Sequence, residues 1–119
     1  MIKRTYDIDS ATLDKLKQNH YTRRIKSHFQ AYGTKYDFLQ FFSLSRDGSD
    51  TGLICVFNSA MLISTFQDTD ADEQTAEEIA AFINLNKPYS VELEQVLAKQ
   101  VIRYVSQDYN ADKRTEFHF

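Results

Sequence analysis

The sequence predicts an α+β domain: a mixed, mainly antiparallel sheet flanked by helices. Three observations lead there. Apolar runs at residues 38–44, 52–57 and 60–66, rich in Phe, Val, Ile and Leu, are separated only by short turn-forming sequences, which is the pattern of an antiparallel meander. Ile25, Phe29 and Tyr32 recur at i, i+4 and i+7 ahead of Gly33, one helix face followed by a residue suited to the C-terminal cap. A further apolar face follows Thr75-Ala-Glu-Glu78, a pattern in which the threonine hydroxyl and the glutamate carboxylate satisfy reciprocal backbone donors.

In chain order, residues 2–8 alternate loosely and read as a first strand. Asp9 or Ser10 then caps a helix carrying Leu13 and Leu16, broken at Asn19-His20. Residues 22–32 make the second helix. Arg46-Asp-Gly-Ser-Asp turns the first hairpin of the meander and Asn58-Ser59 the second. The third helix carries Ile79, Phe82, Ile83 and Asn86 on one face and stops before Pro88. Residues 89–93 alternate apolar and polar as a strand does. Residues 90–104 also fit a helix with Leu93, Leu97, Val101 and Tyr104 or Val105 inward, and helix from about Glu94 onward serves both readings. Residues 115–119 read as a final strand with Phe117 and Phe119 on one face. Such an aromatic edge strand invites pairing with a following domain or a second copy.

At 119 residues the chain fits one domain with a single core. Nine phenylalanines and seven tyrosines make that core bulky. The net charge of −3 gives no general attraction to nucleic acid or to an anionic membrane. The single Cys55 has no partner for an internal disulfide and fits a reducing compartment. The opening MIKRTYDIDS has no apolar stretch of the kind a signal peptide needs, and no run has the length of a membrane span. A cytoplasmic domain is expected.

The order of elements (strand, two helices, three antiparallel strands, helix, a strand if residues 89–93 take that form, helix, strand) resembles the GNAT-type N-acetyltransferases over nearly the whole chain. Tyr36-Asp-Phe-Leu-Gln-Phe-Phe leading into Gly52-Leu-Ile-Cys-Val carries part of the likeness. Ile79-Ala-Ala-Phe-Ile-Asn-Leu-Asn-Lys-Pro is similar to the equivalent region of two-lobed bacterial acetyltransferase-like proteins. Members of the family place Gln/Arg-x-x-Gly-x-Gly/Ala after the fourth strand, where backbone amides cradle the pyrophosphate of acetyl-CoA. Here that place holds Gln67-Asp-Thr-Asp-Ala-Asp-Glu.

Residues 67–78 contain no glycine, lysine or arginine and six carboxylates, Asp68, Asp70, Asp72, Glu73, Glu77 and Glu78. Without glycine the backbone has no easy approach to a phosphate. Two carboxylates beside a diphosphate would oppose it by several kcal/mol, taking ~4 Å and an effective dielectric of about 20. The plainer account of the run is a solvated loop whose carboxylates favour the following helix through its dipole. Calcium ligation by Asp68, Asp70 and Asp72 fails on position six, where Glu73 stands in place of glycine.

Other constellations are weaker. Lys15, Lys17, Arg23, Arg24, Lys26 and Lys35 fall in a stretch free of acids, with His20 and His28, interleaved with Tyr21, Phe29, Tyr32 and Tyr36. This is a polyanion-binding face or, more simply, a solvated helix surface over core aromatics. Cys55, between Ile54 and Val56, reads as a buried, inert thiol. His20, His28 and His118 lack the spacing of metal ligands. The resemblance places Glu92 and Glu94 near the general base that some members carry on the fifth strand, and Tyr104 near a general acid. Without a cofactor loop the glutamates read as exposed charges, and Tyr104 also has core spacing.

The resemblance and its missing loop together imply a degenerate, non-catalytic acetyltransferase-like domain spanning residues 1–119, the N-terminal part of a longer protein. It would pack on a C-terminal acetyltransferase domain or on a second copy of itself and shape an acceptor cleft. It would bind no acetyl-CoA, that cofactor belonging to the downstream domain. No catalytic, cofactor-binding or metal-binding residue is assigned. The alternatives are an active acetyl-CoA-dependent N-acetyltransferase with a divergent loop, and a polyanion-binding module built on residues 15–36.

Overall fold

A computed structural model of the chain describes residues 1–70, 72–105 and 116–118. The elements are β1 (Ile2–Thr5), α1 (Ser10–Asp14), α2 (His20–Tyr32), β2 (Leu39–Arg46), β3 (Ser49–Phe57), β4 (Ala60–Thr65), α3 (Glu73–Asn86), β5 (Ser90–Glu92), α4 (Gln95–Ile102) and β6 (Glu116–His118). The strands form one mixed sheet in the order β1-β2-β3-β4-β5-β6. β1 to β4 are antiparallel neighbours, while β4–β5 and β5–β6 are parallel. The fold class is therefore α+β with a mixed sheet, and of the two readings left open for residues 89–93 the structure takes the strand, at Ser90–Glu92, followed by a helix from Gln95.

The meander follows from its turns. Asp47 and Gly48 join β2 to β3 with φ of 51° and 83°, the left-handed pair that matches the twist of a two-residue hairpin. Asn58, at φ 54°, opens the β3–β4 turn. The sheet is covered on both faces, which explains the unbroken apolar runs of β3 and β4. On one face Ile54, Met61, Ile63 and Val91 pack against Ile79 and Ile83 of α3 and Leu97 and Val101 of α4. On the other, Phe41, Leu53, Cys55 and Leu62 pack against Leu13, Leu16 and Ile25.

Several expectations are corrected. Leu16 is not on a helix: α1 ends at Asp14, and Leu16 forms an antiparallel bridge to Phe66. The first strand stops at Thr5, and Ile8 instead packs on the α1–α2 core. The second helix starts two residues earlier, at His20, because Asn19 caps it by accepting from the Thr22 N–H. Thr75 is not the cap of α3. Asp72 is, accepting from the Thr75 N–H at 2.8 Å, so the carboxylate three residues upstream replaces the expected threonine–glutamate exchange. Asn86 is exposed, its amide donating back to the Phe82 carbonyl. Tyr104 lies beyond α4 with 38% of its surface exposed, while Val105 packs on the core. The final strand is described only at Glu116–His118, so the placement of Thr115 and Phe119 lies outside the described residues.

Candidate functional site

Two places in the fold join backbone ends to polar side chains: the β4–α3 junction and the carboxyl ends of the parallel strands β4 and β5. Crevices outside the carboxyl ends of parallel strands are common ligand positions.

At the junction the chain caps the start of α3 with a carboxylate of its own. The first-turn donors of a helix attract negative charge, and here the Asp72 carboxylate takes that place while its carbonyl accepts from the Ala76 N–H. The Arg46 guanidinium, from the end of β2, donates to the same carboxylate. Burial pushes the Asp72 pKa up, but the Thr75 hydrogen bonds and the Arg46 charge outweigh it and hold the carboxyl below its ordinary value. Glu73 accepts from the Tyr104 hydroxyl and lies 3.3 Å from Arg103, and Glu78 pairs with the chain's amino terminus. Asp72, Glu73 and Glu78 are thus neutralised internally. Asp68 instead joins Asp14, Asp50 and Lys15 around an open groove of about 750 Å³ floored by Phe66 and Gln67.

Asp72→Ala is expected to cost about 1 kcal/mol through the lost cap, with little added by the ion pair because 41% of the Asp72 side chain is exposed. A carboxyl whose folded pKa is depressed stabilises fully above its unfolded value and loses that contribution as pH falls through the folded one. Urea titrations should therefore show the variant's full deficit at about neutral pH and its decline as the pH falls below the ordinary carboxylate range.

Beside the junction, the ladder between β4 and β5 covers Ala60–Leu62 against Ser90–Glu92 and then stops. The outer edge of β4 beyond it does not stay open. The Lys17 N–H donates to the Thr65 carbonyl at 2.9 Å, and the Gln67 N–H donates to the Lys15 carbonyl at 2.8 Å. The Gln67 side-chain amide adds bonds to the Asp14 and Leu16 carbonyls. Underneath, the Thr22 and Ser64 hydroxyls meet at 2.7 Å, fixing α2 to β4.

The carboxyl end of β5 carries the two glutamates anticipated from the sequence. Glu92 is bonded to the Arg24 guanidinium, and Glu94 lies 3.6 Å from Lys17. Tyr21 is buried beside them, and burial, reinforced by the charges of Glu92 and Glu94, raises its hydroxyl pKa. Each glutamate thus has a cation of its own. Tyr104 sits instead on Glu73, whose hydrogen bond raises the phenol's pKa. Cys55 is fully buried and its thiol is pushed up to about 12 by burial, so it has no nucleophilic character at neutral pH. Among the described residues no three His, Cys, Asp or Glu side chains converge on a metal position.

The basic stretch is divided by the fold. Lys17, Arg24 and Lys26 pair with Glu94, Glu92 and Asp14, and the Lys15 ammonium stands 6.0 Å from the Phe66 ring centre. Tyr21 and Phe29 face the core, whereas Tyr32 and Tyr36 cluster with Phe38 at the far end of the sheet. His28 stacks on Phe57 at 4.5 Å, and burial followed by the Arg24 charge lowers its pKa. Sequence reasoning missed every carboxylate partner of these cations, because the partners are 12 to 77 residues away and no local spacing announces them.

The architecture is thus an α+β domain with self-satisfied strand ends. No family model matches the chain, and no curated protein or solved structure matches it either.

Proposed function

We propose that this chain is a non-catalytic, acetyltransferase-like domain that acts by packing on a partner, a catalytic lobe or a second copy, rather than by holding acetyl-CoA. The observation that carries this is the β4–α3 junction. The position a pyrophosphate would take at the start of α3 is filled by the Asp72 carboxylate, and the segment from 67 to 78 has neither glycine nor a cation of its own. The element order, with a parallel β5 and a following α4, fits the acetyltransferase-like reading. No helix among the described residues is long and apolar enough to cross a membrane, in keeping with a cytoplasmic role.

The competing reading is a working N-acetyltransferase with a divergent loop. Calorimetric titration with acetyl-CoA and an acetylation assay over a broad amine panel separate the two. The proposal expects neither binding heat nor turnover. Micromolar binding, or turnover by this chain, would overturn it. A polyanion-binding role is weakened by the pairing of Lys17, Arg24 and Lys26 with carboxylates.

A further inference from the structure

The two margins of the sheet differ in what they would accept. At β6, the Glu116 N–H donates to the Tyr89 carbonyl and the His118 carbonyl accepts from the Leu93 N–H. Residues 116 and 118 therefore direct their backbone groups toward β5, and Phe117 directs its N–H and C=O to the outer edge, where no described residue pairs with them. Glu116 and His118 lie on the opposite face from Phe117, largely exposed. Phe117 leans on the α3–α4 core.

We propose that two copies of this chain join through β6 in an antiparallel pair centred on Phe117. In that register the Phe117 N–H of each copy donates to the Phe117 carbonyl of the other, closing a hydrogen-bonded pair. Within one copy the His118 imidazole lies 3.6 Å from the Glu116 carboxylate; the same register sets Glu116 against His118 of the second copy, twice by symmetry, so a carboxylate acceptor faces an imidazole donor at both ends. A two-fold axis perpendicular to the sheet keeps each face continuous. The β1 margin lacks this self-complementarity. Its outward backbone groups belong to Ile2 and Arg4, since Met1 and Lys3 bond to β2. Pairing β1 with itself across most of its length sets Lys3 against Lys3 or Arg4 against Arg4, a charge arrangement that guards sheet edges.

The inference rests on the sheet edge and not on the absence of acetyl-CoA binding, so either can fail alone. Sedimentation velocity of the full chain over a concentration series tests it. The wild type should show a monomer–dimer equilibrium. His118→Glu, which opposes two pairs of carboxylates, should weaken the dimer about tenfold or more, and Glu116→Lys with His118→Glu should restore it. Lys3→Glu should leave it unchanged. Hydrogen exchange on the wild type gives a readout free of any folding defect in the variants: the Phe117 amide should gain protection as concentration rises. A monomer at every concentration would overturn the proposal. So would a dimer indifferent to His118→Glu, or a Phe117 amide whose exchange ignores concentration.

Discussion

Gly52→Ala is expected to destabilise the domain by about 3 kcal/mol, the upper end of overpacking substitutions. β3 lies inside the sheet with Gly52 opposite Leu44 on one side and Thr65 on the other. A Cβ at this position would stand 2.6 Å from the Ser64 carbonyl oxygen and 3.0 Å from the Thr65 Cα. Both are backbone atoms of a paired strand, so no side-chain rotation relieves the contact. The strands must separate instead, and the neighbouring register gives little slack. Pairing already shifts between Leu44 and Ser45, where the Thr51 hydroxyl donates to the Leu44 carbonyl. Pushing β4 outward also disturbs Ser64 and Thr65, which hold Thr22 and Lys17. Urea denaturation should show a lower midpoint with an unchanged slope, the sign of lost stability without a change in exposed surface. Gly48→Ala is the control: nothing lies within 4 Å of its added Cβ, and only the left-handed turn at φ 83° resists it.

What the sequence disclosed follows the range of the forces involved. The hairpins were legible because Asp47-Gly48 and Asn58 specify turns by local conformational preference. The second and third helices were legible because a buried stripe repeats every turn, as Ile79 and Ile83 do. The meander and the α+β class follow from these. Helix starts were less legible, since Asp72, Thr75 and Glu78 are all plausible cap chemistry and only the backbone decides among them. The spacing of Leu16 from Leu13 is helical, whereas its partner in the fold, Phe66, is fifty residues on in the chain. At the β4–α3 junction the sequence itself displays the lack of glycine and the run of carboxylates in residues 67–78. That Asp72 itself occupies the helix start, and that Arg24 and Lys17 neutralise Glu92 and Glu94, depends on long-range packing that no window along the chain contains.

Leu16→Ala is expected to cost about 2–5 kcal/mol, as for other buried leucines, and its value lies in what else it changes. Leu16 is 1% exposed and anchors the Lys15–Lys17 segment in the α1–α2 core. That segment satisfies the Thr65 carbonyl and the Gln67 N–H at the outer edge of β4. Loosening it should expose these groups by local opening, well below the free energy of global unfolding. Hydrogen exchange should therefore accelerate at the Lys17 and Gln67 amides more than at Ile54, which lies in the sheet interior. The same variant separates two physical reasons behind the proposed lack of acetyl-CoA binding. If the inserted segment alone blocks the strand edge, Leu16→Ala should acquire binding, measured under conditions where the variant remains folded. If the junction itself excludes the pyrophosphate, through Asp72 on the start of α3 and a loop without glycine, binding should stay absent even with the edge open. The second outcome is expected. Freeing a strand edge adds hydrogen-bonding groups for an extended ligand, but it leaves the Asp72 carboxylate on the first-turn donors of α3 and supplies no glycine to the loop.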